Sequence, residues 1–274
     1  MGKTVKIGSI SIGSGHGLVL ISGPCVIEDE KMSLETAVKI KEITGKLGMP
    51  YIFKSSYDKG NRTSVDYYRG PGLKKGLKIL ERVRKETGVP VISDVQCTTE
   101  IAAAAEVLDI IQIPAYLCQQ VDLVVGAGKT GKPVNVKKGQ FLAPWDMKKI
   151  CAKIESTGNT DIMLTERGSI FGYNNLVCDM RSIPLMQETG YPVIADITHI
   201  LRIPGPASSE AAGGQPRFIP PLAGAAAAAG CDALFLEVHP EPSKALCDAS
   251  SMLKLDMLEE VLARTLEISR IARK

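Results

Sequence analysis

Short apolar runs alternate along the chain with longer segments in which apolar residues recur every three or four positions. A short apolar run bounded by turn residues predicts a buried strand, and the longer period predicts an amphipathic helix. The predicted strands cover residues 18–22, 51–55, 89–94, 110–114, 134–137, 162–165, 192–198 and 233–238. The predicted helices cover residues 34–47, 73–87, 100–108, 121–127, 145–155, 176–188, 219–229 and 255–272. The pattern therefore predicts an α/β protein in which strands and helices alternate strictly.

Eight strand–helix units in uninterrupted succession favour a (β/α)8 TIM barrel over an open doubly wound sheet, which rarely needs so many. Strands such as residues 91–93 are apolar on both faces, as parallel strands covered by helices must be. We expect one catalytic barrel domain over residues 1–274. Within the N-terminal extension 1–17, the alternating segment 5–12 predicts a small β-hairpin that caps the barrel floor.

One connection stands out by its length. The stretch 204–216 is rich in Pro, Gly and Ser and is longer than an ordinary strand-to-helix loop. We interpret it as a mobile lid over the site. A disordered insertion is the alternative interpretation.

Composition narrows the class of protein without giving its function. The 274 residues carry 33 Lys and Arg against 30 Asp and Glu, and this small, evenly spread charge argues against nucleic acid as a partner. Seven cysteines without a C-x-x-C pair indicate neither a disulfide framework nor a zinc ribbon. No signal-peptide pattern and no apolar run of about 20 residues occurs. We therefore expect a cytoplasmic protein with no membrane partner.

In a barrel of this kind the active site forms at the carboxyl ends of the strands. Polar residues stand at that end of each predicted strand, and six of them are cations: Lys54, Lys59, Arg62, Lys137, Lys138 and Arg167. Any one of these lysines alone is more often a solvated surface charge. Together on one rim they require a compensating anion, so they predict a substrate with a carboxylate and at least one phosphate.

A second constellation combines sulfur, nitrogen and oxygen donors. Its members are Cys25, His199, Glu237 and Asp248, which follow different strands. Such a set suits a divalent transition metal with an open coordination position, and Fe²⁺, Mn²⁺ and Zn²⁺ all accept it. The prediction depends on the barrel, because without it a buried structural cysteine and a hydrogen-bonded histidine would be the simpler interpretation. We interpret Cys247 as a bystander.

Several longer motifs resemble the 3-deoxy-D-manno-octulosonate 8-phosphate synthase family. They are residues 53–64, 68–72, 135–141, 171–176, 237–242 and 248–250. The resemblance covers nearly the whole chain, from about residue 20 to the last helix. It implies a TIM-barrel transferase that condenses phosphoenolpyruvate with D-arabinose 5-phosphate and water, for lipopolysaccharide biosynthesis, and that forms a homotetramer. Members of the family carry either Cys or Asn after the first strand, and Cys25 implies the metal-dependent kind.

The resemblance also implies residue roles. Lys137 and Arg167 would hold the phosphate of phosphoenolpyruvate, and Lys54 and Lys59 its carboxylate side. The sugar phosphate would lie on Asn61, Arg62 and Thr63. The implied catalytic residues are Lys54, Lys59, Asp94, Lys137, Arg167, His199, Glu237 and Asp248, with Asp94 and Glu237 as proton relays. The implied substrate-binding residues are Ser56, Asn61, Arg62, Thr63, Gln112, Lys137 and Arg167.

The sequence leaves other activities open, and it departs from the family pattern at two positions. Asn61 argues against erythrose 4-phosphate as the aldehyde, because relatives that use it carry Pro before the Arg. An N-acyl-mannosamine aldehyde and a non-enzymatic anion-binding barrel are the remaining alternatives. Gln96 stands where the family commonly has His, and Gln119 where it commonly has Arg. In the family that Arg usually reaches the sugar-phosphate site of a neighbouring subunit, so its loss should raise the KM for the sugar phosphate, unless another base such as Lys75 compensates.

Overall fold

The computed structural model describes residues 2–171, 175–204 and 211–273. The strands are β1 (Thr4–Ile7), β2 (Ile10–Gly13), β3 (Val19–Gly23), β4 (Tyr51–Lys54), β5 (Val91–Asp94), β6 (Ile110–Ile113), β7 (Val134–Lys137), β8 (Ile162–Glu166), β9 (Ser169–Phe171), β10 (Asn175–Val177), β11 (Val193–Asp196), β12 (Ala233–His239) and β13 (Leu253–Lys254). The helices are α1 (Glu30–Leu47), α2 (Leu73–Thr87), α3 (Ile101–Val107), α4 (Val121–Lys129), α5 (Met147–Glu155), α6 (Ser182–Gln187), α7 (Ile219–Ala228) and α8 (Leu258–Ala272).

Eight of these strands form a closed parallel barrel. Strands β3 to β8 pair in chain order, β8 pairs with β11, and β11 pairs with β12. The pairing of β12 with β3, from Ala233 opposite Val19 to Glu237 opposite Gly23, closes the ring. A helix follows each barrel strand along the chain, so the predicted (β/α)8 barrel is confirmed.

Side chains that point into the barrel form two layers. The lower layer is apolar and consists of Ile52, Ile92, Ile110, Met163, Ile194 and Phe235. Two residues later on the same strands stand Lys54, Asp94, Gln112, Thr165, Asp196 and Glu237. Because alternate residues of a strand face the same side, this second set forms a polar upper layer at the carboxyl ends. The intervening residues face outward and pack against the helices.

The N-terminal hairpin closes the lower end of the barrel. β1 and β2 pair antiparallel, with Val5 opposite Ile12. Val5, Ile7 and Ile12 are buried in the same cluster as the lower layer. Burial of this apolar face against the strand ends explains why a short hairpin, which would be marginal alone, is ordered here. The predicted floor cap is confirmed.

The segment after β8 differs from the prediction of a helix over 176–188. Residues Asn175–Val177 form β10, which pairs antiparallel with β9, and α6 begins only at Ser182. Asp179 marks the boundary, because its carbonyl accepts from the Ser182 amide and its carboxylate accepts from the Arg181 amide. A turn of this kind competes with the helix and delays its start.

The lid prediction falls partly outside the described residues. Residues 205–210 are not among them, so the interpretation of 204–216 as a lid stays a prediction. The flanking residues Arg202 and Gly214 form an isolated antiparallel bridge. Residues 172–174 of the motif at 171–176 also lie outside the described part of the chain.

Candidate active site

Four buried charges of alternating sign occupy the centre of the upper layer. The Lys54 ammonium lies 2.8 Å from Glu237 Oε1 and 4.0 Å from Asp94 Oδ2. The Lys59 ammonium lies 3.7 Å from the same Asp94 oxygen and 3.8 Å from the same Glu237 oxygen. β4 supplies Lys54, β5 supplies Asp94 and β12 supplies Glu237, so the barrel brings together residues far apart in sequence.

These charges keep both carboxylates ionised despite burial. Burial raises the pKa of Glu237, but Lys54, His199 and Lys59 outweigh it and lower that pKa to about 2. Burial likewise raises the pKa of Asp94, and Lys54, Lys59 and Lys137 hold it below its ordinary value. A buried carboxylate without such partners would take up a proton instead. The cluster is therefore charged at neutral pH.

A second charged group lies beside it and orients His199. Lys137 donates to Asp196 Oδ2 over 2.7 Å, and the same oxygen lies 2.7 Å from His199 Nδ1. The other carboxylate oxygen of Asp196 accepts from the backbone amides of Thr198 and His199. Burial raises the pKa of Asp196, but His199 and Lys137 lower it below its ordinary value. A carboxylate on Nδ1 leaves Nε2 free to act as a ligand, as in many metal sites.

The four predicted metal ligands meet around Asp248. Its Oδ2 lies 3.4 Å from Cys25 Sγ and 3.4 Å from His199 Nε2. His199 Nε2 lies 3.7 Å from Glu237 Oε2, and this buried oxygen has no hydrogen-bond partner among the residues that the structure describes. A buried carboxylate oxygen left without a donor, facing sulfur, nitrogen and oxygen donors, fits a divalent metal ion. The donors form two groups that share Asp248. One group adds Cys25 and Cys247, and the other adds His199 and Glu237.

Cys25 is held as a thiol by its surroundings. Burial raises the pKa of its thiol well above the ordinary value, and Cys247, Asp248 and Glu237 raise it further. The Cys247 sulfur is only 3.0 Å from the Cys25 sulfur. Cys247 therefore belongs to one of the two groups of possible metal donors, which its interpretation as a bystander did not anticipate. A cation at this site would favour the thiolate instead.

A chain of hydrogen bonds across four neighbouring strands, β8 to β5, fixes Asp94 together with Ser56, which follows β4. The Thr165 hydroxyl donates to Asn135 Oδ1 over 2.7 Å, and the Asn135 amide donates to Gln112 Oε1 over 2.9 Å. Gln112 donates to Asp94 Oδ1, and the Ser56 hydroxyl donates to Asp94 Oδ2 over 2.6 Å. Both ends of the Gln112 amide are thus used inside the protein. Direct contact of Ser56 and Gln112 with substrate stays a prediction.

An open cavity lies above this layer. The predicted sugar-phosphate residues Asn61, Arg62 and Thr63 line it, together with Lys59, Arg167, His199 and Asp248. Lys59, Lys137, Arg167 and His199 also line a narrower recess below, next to Asp94. The cavity and the recess share Lys59, Asn61, Arg167 and His199 among their lining residues. Cys25, Lys54 and Glu237 are not among the residues that line either space and lie beneath them in the buried layer.

Arg202 is a cation of this site that the sequence prediction missed. It lines the cavity, and its Nη1 lies 2.9 Å from Asp248 Oδ1. Residues 199–201 form a single 3-10 turn, in which side chains three positions apart lie above one another. The three-residue spacing from His199 to Arg202 was therefore the feature of the sequence that could have predicted Arg202 at this site. Tyr116 and Gln140, which also line the cavity, carried no comparable signal.

Lys138, which the sequence groups with the cations of the rim, and His239, which lies in the motif at 237–242, both lie away from the cavity. The Lys138 ammonium donates to the carbonyls of Leu142 and Gly168 and to the Ser169 hydroxyl, so it supports the turn between β8 and β9 instead of facing the cavity. His239 accepts from the Glu241 amide through Nδ1, and its Nε2 lies 3.6 Å from Glu28. It takes no part in the donor cluster.

The two departures from the family pattern have different surroundings. Gln96 donates to the Asp58 carbonyl over 3.1 Å and so supports the loop that carries Lys59 and Asn61. Gln119 is exposed, and its carbonyl accepts from Lys153. Lys75 is exposed on α2, and neither Lys75 nor Gln119 is among the residues that line the cavity of this single chain. Compensation by Lys75 stays a prediction.

A parallel (β/α)8 barrel with a buried cluster of cations and metal donors at its carboxyl rim defines a TIM-barrel enzyme for small anionic substrates. Comparison with known proteins narrows this class. The model of the DAHP synthetase I family matches residues 3–273, and the chain belongs to that family.

The full-length relatives of this chain carry the same protein name. The chain is 53% identical to 2-dehydro-3-deoxyphosphooctonate aldolase of Trichlorobacter lovleyi over all of both chains. It is 51% identical to the protein of the same name of Syntrophotalea carbinolica, over 100% of this chain and 98% of that one. The protein of that name of Desulfatibacillum aliphaticivorans is 53% identical over 99% of this chain. In the described part of the chain, no helix has the length and apolar character needed to cross a membrane.

Proposed function

We propose that this chain is a 2-dehydro-3-deoxyphosphooctonate aldolase working in the synthetic direction. It condenses phosphoenolpyruvate with D-arabinose 5-phosphate and water, and it releases 3-deoxy-D-manno-octulosonate 8-phosphate and inorganic phosphate for lipopolysaccharide biosynthesis. The names of the full-length relatives support this assignment. The observation that carries it is the group of cations around the cavity and its recess, which provides sites for two phosphates and a carboxylate.

Phosphoenolpyruvate would lie in the deeper recess. Lys137 and Arg167 border it and would hold the phosphate, since Arg offers two donors in one plane and Lys a point charge. Lys59 would face the carboxylate. Lys54 donates to Glu237 and to the Cys25 carbonyl, so it would act mainly by keeping Glu237 charged and in place.

The sugar phosphate would lie above, on Asn61, Arg62 and Thr63. This arrangement would bring the aldehyde carbon of arabinose 5-phosphate to C3 of phosphoenolpyruvate. A new bond forms between these two carbons while water adds at C2, and the C2–O bond to phosphate then breaks. These steps need no covalent bond between a side chain and the substrate. The residues would therefore accelerate the reaction by positioning and charge neutralisation. Asp94 or Glu237 would accept a proton from the attacking water, and the aldehyde oxygen, which becomes a hydroxyl, would receive one.

We also propose that Cys25, His199, Glu237 and Asp248 hold a divalent metal. When bound, the metal would act as a Lewis acid on the aldehyde or as a template for it. Fe²⁺, Mn²⁺ and Zn²⁺ remain equally compatible with this donor set. In the Co²⁺-loaded protein, we expect a thiolate-to-cobalt absorption band that the Cys25→Ser variant lacks. The same band in the variant would contradict the role of Cys25.

The proposed substrate can be separated from its rivals by one assay. Phosphate release from phosphoenolpyruvate is measured with arabinose 5-phosphate, erythrose 4-phosphate and N-acetylmannosamine in parallel. We expect turnover with arabinose 5-phosphate alone, and an Asn61→Pro variant should lose part of this selectivity. Turnover only with erythrose 4-phosphate would contradict the assignment, and turnover with none would support a non-enzymatic anion-binding barrel.

We further propose that residues 1–274 form one catalytic domain and that the protein assembles as a homotetramer in the cytoplasm. Exposed aromatic side chains near the cavity support self-association, since Trp145 is 65% and Phe141 57% exposed. Both line a broad apolar groove beside α5 and α6. Light scattering should give the mass of four chains, and Trp145→Ser should lower it. A monomer in the wild type would contradict this proposal.

A further inference from the structure

Two cysteines of this chain lie in contact although they are separated by more than 200 positions. The Sγ atoms of Cys25 and Cys247 are 3.0 Å apart, and both side chains are buried. Cys25 follows β3, and Cys247 precedes Asp248 in the loop after β12. Because a disulfide bond measures about 2.05 Å, the two sulfurs need to move together by only about 1 Å to become bonded.

Small molecules in the cavity can reach one member of the pair. Cys247 lines the cavity wall beside Asp248, and Arg62 Nη1 donates to its sulfur over 2.9 Å. Asp248 has a left-handed backbone with φ of +49°, which turns the loop back toward β3 at this point. A peroxide that enters the cavity therefore meets a sulfur atom with a second sulfur directly behind it.

We infer that Cys25 and Cys247 form an oxidative modification site whose oxidant is hydrogen peroxide. One thiol attacks the peroxide and becomes a sulfenic acid with release of one water. The second thiol then displaces hydroxide from that sulfur, so a disulfide forms and a second water leaves. The two thiols lose two electrons and two protons in total, and these reduce one peroxide to two waters.

Disulfide formation and metal binding exclude each other at this site. The same Cys25 sulfur lies 3.4 Å from Asp248 Oδ2 and belongs to the donor cluster, so a bond to Cys247 removes it from the metal. This second part rests on the metal role proposed above for Cys25. Bound metal would therefore protect the two cysteines from oxidation. The oxidised protein would be unable to bind metal again until a thiol reductant restores both cysteines.

The test treats the full chain with hydrogen peroxide after chelation and, in parallel, after loading with Zn²⁺, which has no redox chemistry of its own. Free thiols are counted, and peptides are mapped without reduction. We expect the chelated protein to lose two thiols and to give a Cys25–Cys247 linked peptide that is lighter by two hydrogens. The Zn²⁺-loaded protein should keep both thiols, and dithiothreitol should restore Zn²⁺ binding to the oxidised protein.

Two matched variants keep the test decisive. Cys247→Ser should give no linked peptide and should retain Zn²⁺ binding after peroxide and reductant. Cys97→Ser, which removes an exposed thiol, should behave as the wild type. Absence of the linked peptide in the chelated wild type would overturn the modification site. A linked peptide that forms equally with and without Zn²⁺ would leave that site standing and overturn the metal role of Cys25.

Discussion

The floor and the rim of this barrel are built from the same strands but use opposite chemistry. At the floor, Val5 and Ile12 of the hairpin pack against Ile52 and its neighbours, all of them apolar side chains. Two residues further along the same strands, Lys54 and Glu237 are buried as ions. Apolar burial stabilises the fold at about 25 cal/mol per Å², whereas a buried ion pair adds little net stability and becomes costly when one partner is lost.

The difference assigns separate tasks to the two layers. The floor contributes stability and holds the strands in register, while the rim retains charges that stability alone would not select. A substitution at the floor should therefore change the free energy of unfolding and leave kinetics unchanged. A substitution at the rim should change both the free energy of unfolding and the kinetics, because each charge at the rim compensates a charge of opposite sign.

The largest effect should come from Lys54→Met. The change leaves Glu237 with the more distant Lys59 and His199, and it should destabilise the fold by about 3–5 kcal/mol, with a fall in kcat/KM of about 100-fold or more. Denaturant unfolding and phosphate release measure the two effects. Lys78→Met, which alters an exposed lysine, should stay within about 0.5 kcal/mol of the wild type. An active, equally stable Lys54→Met protein would contradict the compensation of charges.

Ile12→Ala should isolate the floor. Removal of this fully buried side chain leaves a cavity and should cost about 2–5 kcal/mol of stability. Below the new unfolding temperature, kcat and both KM values should equal those of the wild type. A raised KM in a fully folded variant would mean that the two layers are not separate.

Thr165→Val should give a smaller effect confined to the rim. It removes the donor to Asn135 Oδ1 at the far end of the chain that fixes Asp94, at a cost of about 1–3 kcal/mol. We expect kcat to fall about tenfold or more while the KM for phosphoenolpyruvate stays constant. Thr165→Ser, which keeps the hydroxyl, should restore kcat. Equal kcat in the Val and Ser variants would show that the hydroxyl does not position Asp94.

Gln119→Arg should give the smallest effect and no change in stability, because the residue is exposed. It restores the cation common in the family and should lower the KM for the sugar phosphate by up to about tenfold, or ~1 kcal/mol. Gln120→Arg adds the same charge at the next exposed position and serves as the control. An unchanged KM in Gln119→Arg alone, or an equal change in both variants, would count against the hypothesis.

Much of this architecture could be predicted from the sequence, because it depends on periodicity. The eight strands and their carboxyl ends follow from apolar runs, and the donor set of Cys25, His199, Glu237 and Asp248 follows once these ends are known. The pairing of Lys137 with Asp196 could not be predicted, because it depends on strand register and side-chain rotamers. The contact of Cys247 with Cys25 depends in addition on the path of an irregular loop.

The central claim is that one charged rim holds both the metal and the reacting substrates. The most direct test titrates the chelated protein with Mn²⁺ and measures bound metal and phosphate release on the same samples, with arabinose 5-phosphate present. We predict that activity rises from zero in proportion to bound metal and reaches its maximum near one ion per chain. Full activity in samples that contain no bound metal would contradict the claim.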